Sequence, residues 1–151
     1  MAGLYFHIPF CKRVCAYCDF FHSVELGRSD ALVEAMHREL EAAAPFLSDR
    51  HVRTIYFGGG TPSLLPPARL QELMDHAAAL LDCSAVEERT MEANPDDLDG
   101  AYLEALARTE IDRLSVGVQS FDDGALRLMN RRHTAAQAEQ ALRRAQEAGF
   151  R

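Results

Sequence analysis

Apolar positions along this chain switch repeatedly between two spacings, short apolar runs and three-to-four-residue stripes. Leu4 to Pro9 is an apolar run that predicts a first strand, and it feeds directly into a loop rich in cysteine. Ser29 and Asp30 then offer an N-cap for a helix to about Ala44, with Leu32, Val33, Met36 and Leu40 on one face and Pro45 at its end. Val52 to Phe57, rich in β-branched and aromatic residues, reads as strand two, broken by Gly58-Gly59-Gly60. Pro66 and Pro67 suit the first turn of a second helix carrying Leu70, Leu73, Met74, Ala77, Leu80 and Leu81. A third strand from about Glu87 to Glu92 begins on the polar Glu87-Glu88-Arg89 and rests on the rhythm of the units. Asp99 can cap a short helix bearing Tyr102, Leu103 and Leu106. Arg113 to Val118, with Leu114, Val116 and Val118 alternating, is strand four. A short helix follows Asp122, and Thr134 with Gln137 forms a capping-box pattern before a helix that Gly149 is placed to end. Phe150 and Arg151 would open a fifth unit.

Strand-then-helix alternation implies an α/β fold with a parallel sheet and right-handed crossovers. An open doubly wound sheet and part of a barrel both satisfy it. In either, ligands gather at the carboxyl ends of the strands. Here those ends carry the cysteine loop, the glycine run, Glu92 with Asn94, and Gln119 with Ser120, so one rim collects the polar and unusual residues.

At 151 residues, with 48% hydrophobic and 26% charged, the chain can bury one core. A net charge of −7 disfavours a bulk electrostatic grip on nucleic acid. The dense basic spot Arg131-Arg132-His133 is, alone, more often a solvated turn. No apolar run approaches the ~20 residues that cross a bilayer, so no integral membrane segment is expected. The start, MAGLYFHIPF, lacks the features of a signal peptide. A reducing, cytoplasmic setting follows, in which thiols persist and disulfides are disfavoured.

Cys11, Cys15 and Cys18 stand at C-x3-C-x2-C spacing. Three thiolates on so short a loop can hold three corners of a [4Fe–4S] cluster. A fourth protein thiolate is usual, so one iron would stay open to a small molecule. Zinc is the alternative; it needs a fourth ligand, which His7, His22 or Cys83 could in principle supply. Neither histidine is read as a ligand, and Cys83 reads as a small core hydrophobe. The glycine run lets backbone approach a ligand, or simply turns; it is neither a Walker nor a dinucleotide fingerprint. Glu92 is either an acceptor for a ligand hydroxyl or ammonium, or an ordinary strand-end carboxylate. Arg131 carries a fork suited to carboxylates, or is surface charge. Tyr5 could equally be core.

The cysteine spacing, together with YFHIPFC, CAYCDF, YFGGGTPS, MEANPDDL, LSVGVQSFDD and MNRRH, resembles the oxygen-independent coproporphyrinogen III oxidase family of radical S-adenosylmethionine (SAM) proteins, and most closely its haem-chaperone branch. The resemblance runs from Leu4 to about Phe150. It implies a parallel partial TIM-like barrel, normally of six units. Residues 1–151 would then be the amino-terminal part of the core domain, truncated after about four β/α units, with the later barrel units and a C-terminal domain absent and an unpaired sheet edge left behind. It implies a [4Fe–4S] cluster on Cys11, Cys15 and Cys18. It implies SAM near Gly59, Gly60, Thr61 and Glu92, with further contacts from Tyr5, Tyr17, Gln119 and Arg131. The reaction so implied is one-electron cleavage of SAM to methionine and a deoxyadenosyl radical, fed by an electron donor. Haem or a porphyrin is the implied partner, together with proteins that accept haem. Phe20, where the oxidase pattern continues to a fourth cysteine, and Tyr17 with Asp19 favour the chaperone. An oxidase that decarboxylates two propionates is the alternative, and an inactive cluster-binding fragment is a third.

Overall fold

The computed structural model describes residues 2–151. Four strands, β1 (Ala2–Ile8), β2 (Val52–Gly59), β3 (Glu88–Ala93) and β4 (Arg113–Val116), form one parallel sheet in the order β1-β2-β3-β4. Between and after them lie α1 (Ser29–Ala43), α2 (Pro67–Leu80), α3 (Gly100–Leu106), α4 (Asp123–Leu128) and α5 (Ala135–Glu147). Each strand pairs with the next in the chain and every crossover holds a helix. This is the α/β arrangement of a partial barrel.

Alternation along the strands splits the sheet into two faces. Phe6 and Ile8, Ile55 and Phe57, and Met91 and Ala93 are buried on the helical face, against Val33, Met36 and Leu40 of α1, Leu70, Leu73 and Met74 of α2, and Leu103 and Leu106 of α3. The opposite face carries Tyr5, Tyr56, Thr90 and Arg113, aligned by register across all four strands. Among the described residues, no helix covers that row. Tyr5 stacks on Tyr56 with centroids 5.9 Å apart.

Several expectations shift in detail. Ser29 and Asp30 do not cap α1: a 3-10 turn, Leu26–Arg28, leads into the helix and no side chain caps it. Asp30 pairs instead with Arg69 of α2 at 2.8 Å. The glycine run does not break β2 at once, because Gly58 and Gly59 still pair with His7 and Ile8. The polar start of β3 is explained by its central place. Glu88 accepts from Thr90 and faces Arg113, and Arg89 pairs with Glu110 at 3.0 Å. Strand β4 stops at Val116 rather than Val118, because the Arg131 guanidinium takes the Gly117 carbonyl at 2.7 Å and the chain turns there. Asp99, Asp122 and the Thr134–Gln137 box cap α3, α4 and α5, and Gly149 follows α5 at φ +92°. Arg151 bonds by backbone to Asp112 and Leu114, alongside β4.

Candidate functional site

At the carboxyl ends of the strands lies a cavity of about 390 Å³, within the range of small-molecule sites. Cys11, Cys15, Cys18, Tyr17, Gly59, Gly60, Thr61, Glu92, Gln119 and Arg131 all line it. Tyr5 does not. Its hydroxyl bonds His7 Nδ1 at 3.2 Å on the uncovered sheet face.

The cysteine loop hangs from four anchors. Phe10 bridges Ser23, and the Cys11 N–H donates to the Ser23 carbonyl at 2.9 Å. Lys12 Nζ donates to the buried Asp97 at 2.6 Å, and Ser63 donates to the other oxygen of that carboxylate at 2.8 Å. The Ala16 N–H donates to the Met129 carbonyl at 3.1 Å, and the Asn130 amide donates to Val14 O at 2.7 Å. Gly60 has a further part in this. A Cβ there would stand 2.7 to 2.9 Å from the backbone of Pro9 and Phe10, so only glycine lets the end of β2 lie against the start of the loop. Its side-chain direction is closed by that backbone, while the residue still lines the cavity.

Inside the rim, Thr61 is buried. It donates to Cys11 Sγ at 3.6 Å and accepts from Asn94 Nδ2 at 3.2 Å. Both oxygens of Glu92 are engaged: Tyr56 O–H donates at 2.7 Å and Gly59 N–H at 3.1 Å. Burial first, and then the bond to Glu92, push the Tyr56 phenol above its ordinary pKa. Arg131 is a strut as much as a ligand group. Its Nη2 donates to Asn94 Oδ1 at 2.5 Å and to Gly117 O, while Nη1 points to Cys15 Sγ at 3.3 Å and the Tyr17 hydroxyl at 3.5 Å. Its buried Nε has no partner among the described residues. Gln119 sits at φ 65°, a conformation uncommon outside glycine that marks local strain at the rim.

Sequence reasoning missed Tyr56 and the Lys12–Asp97–Ser63 set as parts of the site. Alternation would have placed Tyr56 on the same face as Tyr5, whereas nothing local signals that Asp97 turns inward to meet Lys12.

Comparison with known proteins now adds the family. The description Radical SAM superfamily matches residues 5–151. The chain belongs to the radical SAM superfamily. It is 40% identical over 147 residues to the haem chaperone HemW of Lactococcus lactis, covering 97% of this chain and 38% of that protein. It is 37% identical over 151 residues to HemW of Escherichia coli, covering 99% and 40%. The solved structure of coproporphyrinogen III oxidase (HemN) from Escherichia coli, described as a radical SAM enzyme, superposes with a TM-score of 0.86 at 31% identity, covering 98% of this chain and 35% of that one. The chain thus spans well under half the length of these relatives.

The superfamily implies a [4Fe–4S] cluster and SAM, and the residues present fit both. Burial, and then the charges of Cys18 and Cys15, push the Cys11 thiol up, whereas the Thr61 hydrogen bond and Arg131 draw it down. Three free thiols sharing one cavity fit the iron of a cluster, which takes them as thiolates. Cys83 lies at the far end of the sheet, beside Asp82 whose carbonyl accepts from Val52 at the start of β2, so it cannot complete the triad. Among the described residues no helix is long and apolar enough to cross a membrane.

Proposed function

We propose that the chain is the amino-terminal part of a radical SAM core that works as a haem chaperone, binding haem and passing it to acceptor proteins. The observation that carries the radical SAM part is the shared cavity: three thiols of one loop face Gly59, Thr61, Glu92, Gln119 and Arg131. The haem part is supported by the similarity to two bacterial haem chaperones. Phe20, in place of a further cysteine, agrees with it. A reducing, cytoplasmic compartment suits the free thiols.

In this reading Cys11, Cys15 and Cys18 hold the cluster. When bound, the cluster and SAM supply one-electron cleavage of SAM. The chain's own residues orient and shield. Tyr56 and the Gly59 amide fix the Glu92 carboxylate, which then accepts from an ammonium or hydroxyl group of the ligand. The Thr61 hydroxyl donates toward the Cys11 sulfur, and the Arg131 guanidinium lies beside the Cys15 sulfur. Gln119 and Tyr17 close the side of the cavity.

A second reading, oxidative decarboxylation of a porphyrinogen, is supported by the 0.86 superposition on the oxidase. The test begins with anaerobic reconstitution and EPR of the reduced protein with and without SAM. A four-iron signal that shifts with SAM and is lost in Cys15→Ala is expected. Stoichiometric haem uptake without decarboxylation then supports the chaperone. Conversion of coproporphyrinogen to protoporphyrinogen supports the oxidase instead, and zinc without iron or sulfide would overturn both.

A further inference from the structure

The cavity's outer lip carries an imidazole for which the cluster and SAM give no role. His22 Nδ1 lies 2.8 Å from the Phe20 carbonyl oxygen. A carbonyl only accepts, so Nδ1 carries the hydrogen and the neutral ring keeps its lone pair on Nε2. A backbone carbonyl on the distal N–H is the device that fixes the tautomer and ring orientation of a metal-ligating histidine. The backbone beneath it is fixed as well: the Ser23 N–H donates to the Pro9 carbonyl at 2.8 Å and Ser23 bridges Phe10.

Around this ring the chain leaves aromatic surface in water. Phe20 is 74% exposed, Phe21 76% and Tyr17 51%. Two of these rings, Tyr17 and Phe20, stand in the wall of the cavity beside His22. Phe20, Tyr17 and His22 line the cavity, and Arg13 and Arg131 line it with them. A flat macrocycle stacks on aromatic faces, its carboxylates match guanidinium forks, and its iron takes an imidazole. One ligand class answers to all of these groups.

We propose that His22 is an axial ligand of haem seated on Tyr17 and Phe20, with Arg13 facing its propionates. This rests on the haem-carrier reading above and adds the place and the ligand. The test uses cluster-loaded protein, so that the three thiols are occupied, titrated with ferric haem and followed by absorption and EPR. The unaltered chain should give the low-spin spectrum of imidazole-ligated haem. His22→Ala should lose that spectrum and bind roughly 10-fold more weakly or worse, and added imidazole should restore the spectrum. Phe20→Ala should weaken binding and leave the ligand signature unchanged. An identical spectrum and affinity in His22→Ala, or a thiolate-type spectrum in both proteins, would overturn the assignment. So would a changed cluster signal in His22→Ala without haem, since that would make His22 a cluster ligand. Failure of the unaltered chain to take up haem would overturn the carrier reading itself, and His22 with it.

Discussion

Asn130 reaches back 116 residues to hold Val14: its side-chain amide donates to the Val14 carbonyl at 2.7 Å, in the middle of the cysteine loop. The same residue ends α4 at φ 59°, a backbone state that asparagine and glycine tolerate. Both properties are needed at one position. Asn130→Gly keeps the turn and loses the bond, and should cost about 1 kcal/mol of stability. Asn130→Ala loses both and should cost about 1–2 kcal/mol more, from the left-handed backbone. Urea unfolding of the two variants checks the order. Iron content after reconstitution should fall in both, because each frees the loop.

Lys12 and Asp97 tie the loop to the segment after β3. The Asp97 side chain is 3% exposed and that of Lys12 38%. Lys12→Met would leave a buried carboxylate with Ser63 as its remaining donor. Removing one partner of a fully buried pair costs ~3–5 kcal/mol; with Lys12 half in water, a loss of about 1–3 kcal/mol is expected. Lys12→Met combined with Asp97→Asn should recover part of it, because no charge is then stranded. A double-mutant cycle by denaturant unfolding gives the coupling, and a cycle with no coupling would show the pair to be idle.

The order of strands and helices was legible in the sequence, because burial imposes its period on each element. Caps at Asp99 and Thr134 were legible for the same local reason, a side-chain oxygen three residues before an open N–H. The cysteine triad was legible as a motif. Other features depend on contacts between distant residues, and no local pattern carries them. Ser29 and Asp30 have the chemistry of a cap, but a 3-10 turn precedes them and Arg69 claims Asp30. Val118 alternates like a strand residue, yet Arg131 pulls the chain aside at Gly117. The need for glycine at position 60 comes from Pro9 and Phe10, distant in sequence, against which its Cβ direction closes. The placement of Tyr5 outside the cavity follows from its row on the open sheet face, which register alone reveals.

Tyr56 sets the direction of Glu92. Tyr56→Phe removes a single hydroxyl and leaves the carboxylate with the Gly59 amide as its partner. One hydrogen bond of this kind contributes about 0.5–1.5 kcal/mol, so SAM affinity should fall roughly 2- to 13-fold. Glu92→Gln should cost more, because the acceptor itself loses its charge. Titrating the SAM-dependent EPR shift measures both. Equal affinity in Tyr56→Phe and the unaltered chain would show that Gly59 suffices to orient Glu92.

His133 links the rim to pH. The ring is 3% exposed; Nε2–H donates to the Val118 carbonyl at 3.0 Å, and the buried Nδ1 has no partner. Burial holds its pKa below the ordinary value of 6.5, the Val118 bond opposes this in part, and Arg131 adds to the depression. A native pKa below the unfolded one means that the unfolded chain binds the proton more readily as pH falls past 6.5. Stability is therefore fully present above that value, declines by at most about 1.4 kcal/mol per pH unit, and levels off below the native pKa. His133→Gln keeps a donor for Val118 without the titration. Urea unfolding at pH 7.5 and 5.5, values roughly one unit either side of the unperturbed pKa, should show a larger loss in the unaltered chain than in His133→Gln. Because Val118 adjoins Gln119, the same acidification should weaken SAM binding in the unaltered chain more than in the variant. Equal losses in both proteins would place the pH sensitivity elsewhere.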